Sequence, residues 1–318
     1  MSASAVTVRP IRSFDVEVVG VQALGPSFKR ITFASDEVRS MGSGADGKTL
    51  DLRIKVMIPS AGRSLPDFSA LMEMPAMTWY QAWLDMDEAS RGFMRTYTVR
   101  QLRAESGEVD VDFVLHPPAG GGKAGPASSW AEGVRLGDRV VLIGPNAQAG
   151  PCSGIEFTPG TSRRILLVGD ETAVPAIASI LESLDPETVG HAIIEVPRAA
   201  DFQDLVAPAG VDIQWIARGG RPHGAQLDAA VRLACLPGSH VDPQAEAVEL
   251  EDVDVDEVIL WETPAQQGVQ PNGQLYAWIA GEAAVIRELR RYLVREVGMD
   301  RRQVAFMGYW RIGKSEDA

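Results

Sequence analysis

The chain has 318 residues, 45% of them hydrophobic and 23% charged, with a formal net charge of −13. That length calls for two domains and that balance for a globular protein, while the acidity excludes the basic footprint of sequence-independent nucleic-acid binding. No apolar run approaches the ~20 residues that cross a bilayer, no apolar leader follows Met1, and the two cysteines, Cys152 and Cys235, are too few for a disulfide framework or a Cys-rich metal site. The expected setting is the cytoplasm, away from membranes.

In the first half, residues 14–21, 28–33, 52–58, 95–100, 109–115 and 139–143 predict short strands. Several alternate, as Val109-Asp-Val-Asp-Phe-Val-Leu does, and Gly and Pro punctuate them. This is the texture of an antiparallel barrel or sandwich. Between them, residues 59–92 are irregular and carry Pro66, Pro75, Trp79 and Trp83. So long an insertion is a lid or a local elaboration, with a short helix expected over 78–86.

The run Arg95-Thr96-Tyr97-Thr98-Val99-Arg100 places a cation, a ring and a hydroxyl on one predicted strand. Residues two apart share a face, so Arg95, Tyr97 and Val99 point one way and Thr96, Thr98 and Arg100 the other. A flat anionic cofactor needs these three chemistries together, although the run also reads as an ordinary strand rich in Tyr, Thr and Val. His116 closes the next strand and, taken alone, reads as structural. After the glycines at 120–122, Gly125-Pro126-Ala127-Ser128-Ser129-Trp130 opens a helix. Small residues and hydroxyls there suit a pyrophosphate, or equally a plain Ser-capped turn.

The texture changes near 151–159. Arg164-Ile-Leu-Leu-Val-Gly169 is the apolar run of a strand buried on both faces, followed by Asp170-Glu171-Thr172-Ala173-Val174-Pro175 and a helical segment. Strands over 191–196, 211–217, 257–260, 275–280 and 303–307, with helices over 226–234 and 282–297, predict a parallel α/β sheet. Ligands of such sheets sit at the carboxyl ends of strands. Two ends invite one: 169–175, which lacks Gly-x-Gly-x-x-Gly, and Trp278-Ile279-Ala280-Gly281-Glu282. For a dinucleotide ribose, Glu195 is one candidate; Arg198, and Arg218 with Arg221, could instead accept a 2′-phosphate. The acidic span 241–257 reads as a solvated loop without calcium-site spacing. In the last helix Val285, Ile286, Leu289, Leu293 and Val297 form an apolar stripe, Arg287, Arg290, Arg291 and Arg295 lie mostly elsewhere, and Gly298 is placed to end it. With Arg301, Arg302, Arg311 and Lys314, these arginines read either as a balancing charged face or as a cationic mouth for an anionic substrate.

The ordered set Arg95-Thr-Tyr-Thr-Val-Arg100, Asp112-Phe-Val-Leu-His116, Gly125-Pro-Ala-Ser128, Gly169-Asp-Glu-Thr-Ala-Val-Pro175, Trp278-Ile-Ala-Gly-Glu282 and Gly308-Tyr-Trp-Arg311-Ile-Gly313 resembles the siderophore-interacting protein family. These are cytoplasmic FAD-dependent ferric-siderophore reductases, related to the ferredoxin–NADP reductases. The resemblance runs from about residue 10 to Lys314. It implies an antiparallel six-stranded FAD-binding barrel over 10–150 and a Rossmann-like parallel α/β NAD(P)H domain over 151–318. It would set Arg95 on the FAD pyrophosphate, Tyr97 against the isoalloxazine, Thr98 near its N5, the Val99 backbone on the ring and His116 beside the flavin or ribityl chain. Tyr97 and Thr98 are thus the expected catalytic residues. Ala127, Ser128 and Trp130 would complete the phosphate and adenine cradle. Asp170, Glu171 and Thr172 would sit where the nicotinamide domain meets the flavin, with Gly281 and Glu282 flanking the nicotinamide route. Tyr309, Trp310 and Arg311 would close over the flavin or the substrate mouth, and Lys55, Arg311 and Lys314 are the expected substrate cations. The iron stays in its chelate, so no protein metal ligands are expected. Electrons would come from NADH, NADPH or a ferredoxin. Two rivals remain at this stage: a general NAD(P)H–flavin oxidoreductase and a flavin-free cytoplasmic siderophore carrier.

Overall fold

The computed structural model describes residues 8–75, 78–116, 125–236, 260–264, 266, 268, 271 and 275–313. The glycines at 120–122, the acidic span 241–257, most of the strand expected over 257–260, and Lys314 lie outside the described residues. The chain forms two compact units, divided after Ile155, the second also taking in residues 25–27.

The first unit is a closed barrel. Strands β1 (Ile11–Gly25), β2 (Phe28–Ala34), β3 (Arg53–Ile58), β4 (Phe93–Arg103), β5 (Glu108–Val114) and β6 (Arg139–Pro145) close in the order β1-β2-β5-β4-β3-β6. The period-2 pattern sends Phe14, Val16, Ile31, Val56, Val111 and Leu142 inward, all fully buried, each contributing about 1.5–3 kcal/mol on burial. On the outer face of β2–β5–β4, carboxylates pair with cations instead: Arg30 with Asp112 at 2.7 Å and Arg103 with Asp110 at 2.7 Å. Helix α4 (Pro126–Gly133) packs against β3, β4 and β5.

The 59–92 insertion is a packed elaboration with a core of its own. Three short helices, α1 (Phe68–Met72), α2 (Thr78–Leu84) and α3 (Glu88–Arg91), set Phe68, Leu71, Met72 and Trp83 on Met57, Met94, Val141 and Ile143 of the barrel's outer face. The Trp83 indole N–H donates to the Arg91 carbonyl at 2.9 Å. Asp67 caps α1 by accepting the Ala70 N–H at 3.1 Å, as a residue of its type should.

The second unit is a layered α/β sheet. Strands β7 (Arg164–Gly169), β8 (Val189–Val196), β9 (Gly210–Ala217), β10 (Trp261–Glu262), β11 (Leu275–Glu282) and β12 (Val304–Trp310) lie in the order β10-β12-β11-β7-β8-β9. All neighbours are parallel except β10, which runs antiparallel to β12, so the sheet is mixed at one edge. Helix α5 (Val174–Ser183) packs on β7, and α6 (Ala225–Ala234) and α7 (Ala283–Arg291) pack on the sheet and on each other. The single helix expected over 282–297 resolves into three parts. Glu282 is the N-cap, α7 follows, and a π-helical turn over Tyr292–Val297 ends at Gly298 in the left-handed conformation, φ 82°. Arg290 is buried in this helix and pairs with Glu262 at 2.8 Å, while Arg302 pairs with Asp300. These two arginines balance nearby acids and do not build a cationic mouth.

Candidate functional site

Each unit carries one candidate region. On the barrel it centres on β4. Tyr97 faces inward and rests its ring on Phe113, with centroids 4.2 Å apart and planes at 39°. Phe113 in turn meets Trp130 of α4 at 5.7 Å, and Trp130 stacks on Phe33 at 6.3 Å and 12°. This ladder of rings fixes α4 against the strand that carries Arg95, Tyr97 and Thr98.

Helix α4 starts at Gly125 with Pro126 in its first turn and, among the described residues, no side-chain cap. A Cβ built on Gly125 would meet only open space. Ala127 and Ser128 are buried, and the Ser128 hydroxyl accepts the His116 N–H at 3.0 Å. Ser128 therefore ties the end of the β5 strand to α4, and the His116 side chain stays exposed.

These residues fit a flat cofactor with a diphosphate. Uncapped N–H groups at a helix start attract anions, Arg95 supplies a cation on the neighbouring strand, and Thr98 supplies a hydroxyl. The Val99 N–H donates to the Leu52 carbonyl at 2.8 Å, so it is not available to a ring. On the outer face, Lys55 of β3 lies opposite Thr96 and its Nζ donates to the Thr96 Oγ1 at 2.6 Å. Lys55 is exposed, one pleat from the start of the α1–α3 core at Met57 and Met94.

In the second unit the carboxyl ends of β7 and β11 meet where the strand order reverses, the switch point at which α/β sheets bind ligands. Gly169 ends β7, and a Cβ there would lie 2.4 Å from that of Ala173 and 2.9 Å from the Ala280 carbonyl. Asp170 follows, 5% exposed. Its Oδ1 accepts the Thr172 N–H and hydroxyl at 2.9 and 2.5 Å, and its Oδ2 accepts the Glu282 N–H and the Trp310 indole N–H, both at 2.8 Å. One carboxylate thus joins the ends of β7, β11 and β12. Burial, and then the charge of Glu171, push it up to about 7 despite these four donors. Gly281 is held at φ 151°, and a Cβ there would fall 2.7 Å from the Asp170 Oδ2. Glu282 caps α7 through the Ala284 and Val285 N–H groups at 2.8 and 3.0 Å.

Beside this junction lies a narrow crevice lined by Asp170, His223, Leu227, Gly281, Glu282 and Ile286, among others. The His223 ring stands edge-on to Trp310 at 5.0 Å. Its Nδ1 is enclosed without a hydrogen-bond partner among the described residues, and burial, then the Arg218 charge, lower its pKa. Behind it is a buried charge cluster. Arg218 grips Glu171 with two bonds of 2.8 Å and reaches Glu195 at 3.3 Å, and Glu195 also accepts the Gly224 N–H at 3.0 Å. Burial alone would push Glu171 up, yet the Arg218 bonds and charge hold it below the usual carboxylate range.

The structure thus brings Tyr97 and Trp130 onto Phe113, with Ala127 and Ser128 buried on the Trp130 helix and Arg95 and Thr98 on the Tyr97 strand, and it brings Asp170, Thr172 and Trp310 together on the sheet. Arg311 follows β12, and the next residue's N–H donates to the Glu282 Oε1 at 3.3 Å. Glu195 and Arg218, read from sequence as possible ribose or phosphate ligands, are 0% and 7% exposed and face each other; they are removed from that role. His223 was missed, because a lone His in Pro-His-Gly before a helix carries no distinctive spacing. Cys152 and Cys235 are free thiols pushed up to about 11 by burial, well above the range of a reactive thiolate.

Comparison with known proteins adds the following. Residues 17–149 match the siderophore-interacting FAD-binding domain and residues 162–313 the siderophore-interacting protein domain. The chain is 33% identical over 315 residues to an uncharacterized protein of Mycobacterium tuberculosis, covering 97% of this chain and 93% of that one. It is 32% identical over 224 residues to the ferric vibriobactin reductase ViuB of Vibrio cholerae, covering 70% of this chain and 66% of ViuB. Among solved structures, the siderophore-interacting protein SipS from Aeromonas hydrophila matches at 28% identity and TM-score 0.63, covering 96% of this chain and 94% of SipS. A siderophore utilization protein from T. fusca matches at 26% identity and TM-score 0.66, covering 98% and 97%. The ferredoxin reductase of carbazole 1,9a-dioxygenase, at 15% identity and TM-score 0.56 over 95% of this chain and 70% of that one, shares the fold.

Proposed function

This chain belongs to the siderophore-interacting protein family, and on that premise we propose that it is an FAD-dependent ferric-siderophore reductase releasing iron as Fe(II) in the cytoplasm, with electrons from NAD(P)H or another donor. The observation that carries the reading is the packing of helix α4 against the strand bearing Arg95, Tyr97 and Thr98, on a barrel that matches a siderophore-interacting FAD-binding domain. Its relative ViuB, a ferric vibriobactin reductase, supports the same reaction class.

Bound FAD supplies the exchange between a two-electron hydride donor and one-electron ferric iron. The chain's own residues position it. Arg95 and the first N–H groups of α4 neutralise the diphosphate. Phe113 holds the Tyr97 ring in place, and Tyr97 and Thr98 would be the side chains that serve the flavin ring. On the second unit, Asp170 locks the ends of three strands, so that Thr172 and Trp310 present a fixed floor to the nicotinamide. Lys55 offers a local cation to an anionic chelate that a −13 protein would otherwise repel. Arg311 is a second proposed cation, at the end of β12. The polypeptide does not ligate iron in this account; reduction softens the metal, and the hard oxygen ligands of the siderophore then hold it less tightly.

The test is reduction of a ferric siderophore by the purified protein, with a ferrous chelator as reporter and NADH or NADPH as donor. Ferrous complex forming faster than with artificial flavin-reductase acceptors supports the reading. A yellow protein that reduces artificial acceptors and leaves ferric siderophores untouched points to a general flavin reductase. A colourless protein that binds ferric chelates rules out the flavin role.

A further inference from the structure

Resting on the reading that a nicotinamide docks on the second unit, we infer that His223 is a positioning residue for hydride transfer: its ring, placed by the buried Arg218 cluster, sets the plane of the Trp310 indole that forms the floor of that site. Trp310 ends β12 and is half-buried. Its indole N–H donates to the Asp170 Oδ2 at 2.8 Å. Indole has one donor and no acceptor, so this bond fixes one corner of the ring and not its plane. Two residues on, the Ile312 N–H donates to the Glu282 Oε1 at 3.3 Å, which holds the chain but not the ring. The plane is set by a further contact. The His223 ring stands edge-on to the indole, with centroids 5.0 Å apart and planes at 75°, an arrangement that aromatic pairs prefer.

His223 can hold a neighbour because its own backbone is held. Gly224 follows it at φ 76°, where a Cβ would collide with the Val285 side chain of α7, so the chain lies directly on that helix. The Gly224 N–H donates to the Glu195 Oε1 at 3.0 Å, and the Gly224 carbonyl accepts the Asp228 N–H at 2.7 Å. Glu195 is 0% exposed and is held by Arg218, which also grips Glu171. The buried ion pairs thus reach Trp310 through one peptide and one ring. No described residue meets the His223 Nδ1, so a hydrogen bond at that atom does not orient the imidazole, and the tie to Trp310 is between rings. Burial and the Arg218 charge lower the His223 pKa against the pull of Glu171, Glu195 and Glu282, with Asp170 across the crevice. The ring is therefore neutral at pH 7 and meets the indole as an aromatic, not as a cation.

The test reads the indole first and the reaction second, on the full-length holoprotein. The Trp310 indole resonance is assigned by its loss in Trp310→Phe. His223→Ala should move that resonance and speed exchange of its N–H with solvent by about tenfold or more. His223→Phe keeps an edge-on ring and should return both to near the wild type. His223→Leu fills the space without an aromatic edge, should behave as alanine does, and carries the test if the alanine variant does not fold. In stopped flow, reduction of the bound flavin by NADH or NADPH should slow on the order of tenfold to a hundredfold in the alanine and leucine variants. Nucleotide affinity, read by calorimetry, should change by less than about threefold, and phenylalanine should restore the rate. In a Trp310→Phe background, His223→Ala should add no further loss. An unmoved indole in both the alanine and leucine variants, a phenylalanine variant no better than alanine, or a kinetic loss that persists without Trp310 would each overturn the inference. A wild-type flavin that neither nucleotide reduces would take down the nicotinamide reading and this inference with it. Fast nucleotide-driven reduction in His223→Ala would remove the inference alone.

Discussion

Substituting Arg218 by Met is the sharpest probe of how the second unit is held together. The guanidinium is 7% exposed and serves two carboxylates, Glu171 at 1% and Glu195 at 0% exposure. Without it both acids stay in the interior with no cation. Removing one partner of a buried ion pair costs about 3–5 kcal/mol, and in a domain of this size each kcal/mol moves Tm by about 2–4 °C. The expected loss is therefore roughly 6–20 °C in Tm, read by calorimetry on the second transition or by urea unfolding. A companion variant with Glu171→Gln and Glu195→Gln added should recover more than half of the loss, because no buried charge is left over. The pH dependence has a definite sign. In the wild type Glu171 is held below its unfolded value of 4.5, so its contribution is present above that pH and disappears as pH falls through the folded value. In Arg218→Met, the stranded Glu171 carboxyl loses the bonds and charge that hold it low, so burial raises it and it takes up a proton. The deficit should be largest near neutral pH and should narrow toward pH 5. A deficit under ~1 kcal/mol, or one that does not change with pH, would refute the argument that this cluster is a true buried ion pair.

Other expectations follow from single contacts. The Trp310 indole N–H donates to Asp170, whose carboxyl is pushed up to about 7, so the Trp310 indole resonance should titrate with that midpoint and stop doing so in Asp170→Asn. Because the folded value is raised above the unfolded 3.8, this group's contribution is fully present at low pH and is lost as pH rises through about 7. A flat indole shift between pH 5 and 8 would contradict it. Gly281→Ala drives a Cβ to 2.7 Å from the Asp170 Oδ2 at φ 151° and should cost about 1–3 kcal/mol in backbone strain before the clash is counted, seen as a lower unfolding midpoint. Trp83→Ala empties the core beneath α1–α3 and should cost about 3–5 kcal/mol, with amide exchange accelerating in residues 68–91 and the barrel interior keeping its protection. Exchange spreading equally through β1 and β2 would show the insertion's core is not separate.

The barrel was legible from the sequence because its strands alternate and its turns carry Gly and Pro. Val109 to Leu115 is enough to fix an inward face, and Ile31 and Phe33 repeat it. The parallel sheet was legible from continuous apolar runs such as 164–169. Helix α4 declared itself through Gly-Pro and small residues. Of the 59–92 helices, α2 falls within the helix expected over 78–86, whereas α1 and α3 gave no signal, because segments of four or five residues are too short to display a 3.6-residue period. The switch from α7 to a π-helical turn is likewise invisible in a stripe that continues through Leu293 and Val297. Charged residues were the hardest to place. Glu195 and Arg218 looked available at strand ends, and only the fold shows that residues 23 apart in sequence neutralise each other in the interior. Arg290 was misleading for the same reason, since its partner Glu262 lies across the sheet. Pairing of this kind depends on long-range geometry that periodicity does not encode.

The central claim is that the strand carrying Arg95, Tyr97 and Thr98, with α4 packed against it, seats a flavin that delivers electrons to chelated iron. Its most direct test is to compare bound FAD, read from the absorption spectrum after gentle purification, and ferric-siderophore reduction in the wild type and in Arg95→Ala. The account predicts a yellow wild-type protein that produces Fe(II), and a variant that keeps its fold, loses most of its FAD and regains reduction only with excess added FAD. A variant that holds FAD as tightly as the wild type would contradict it.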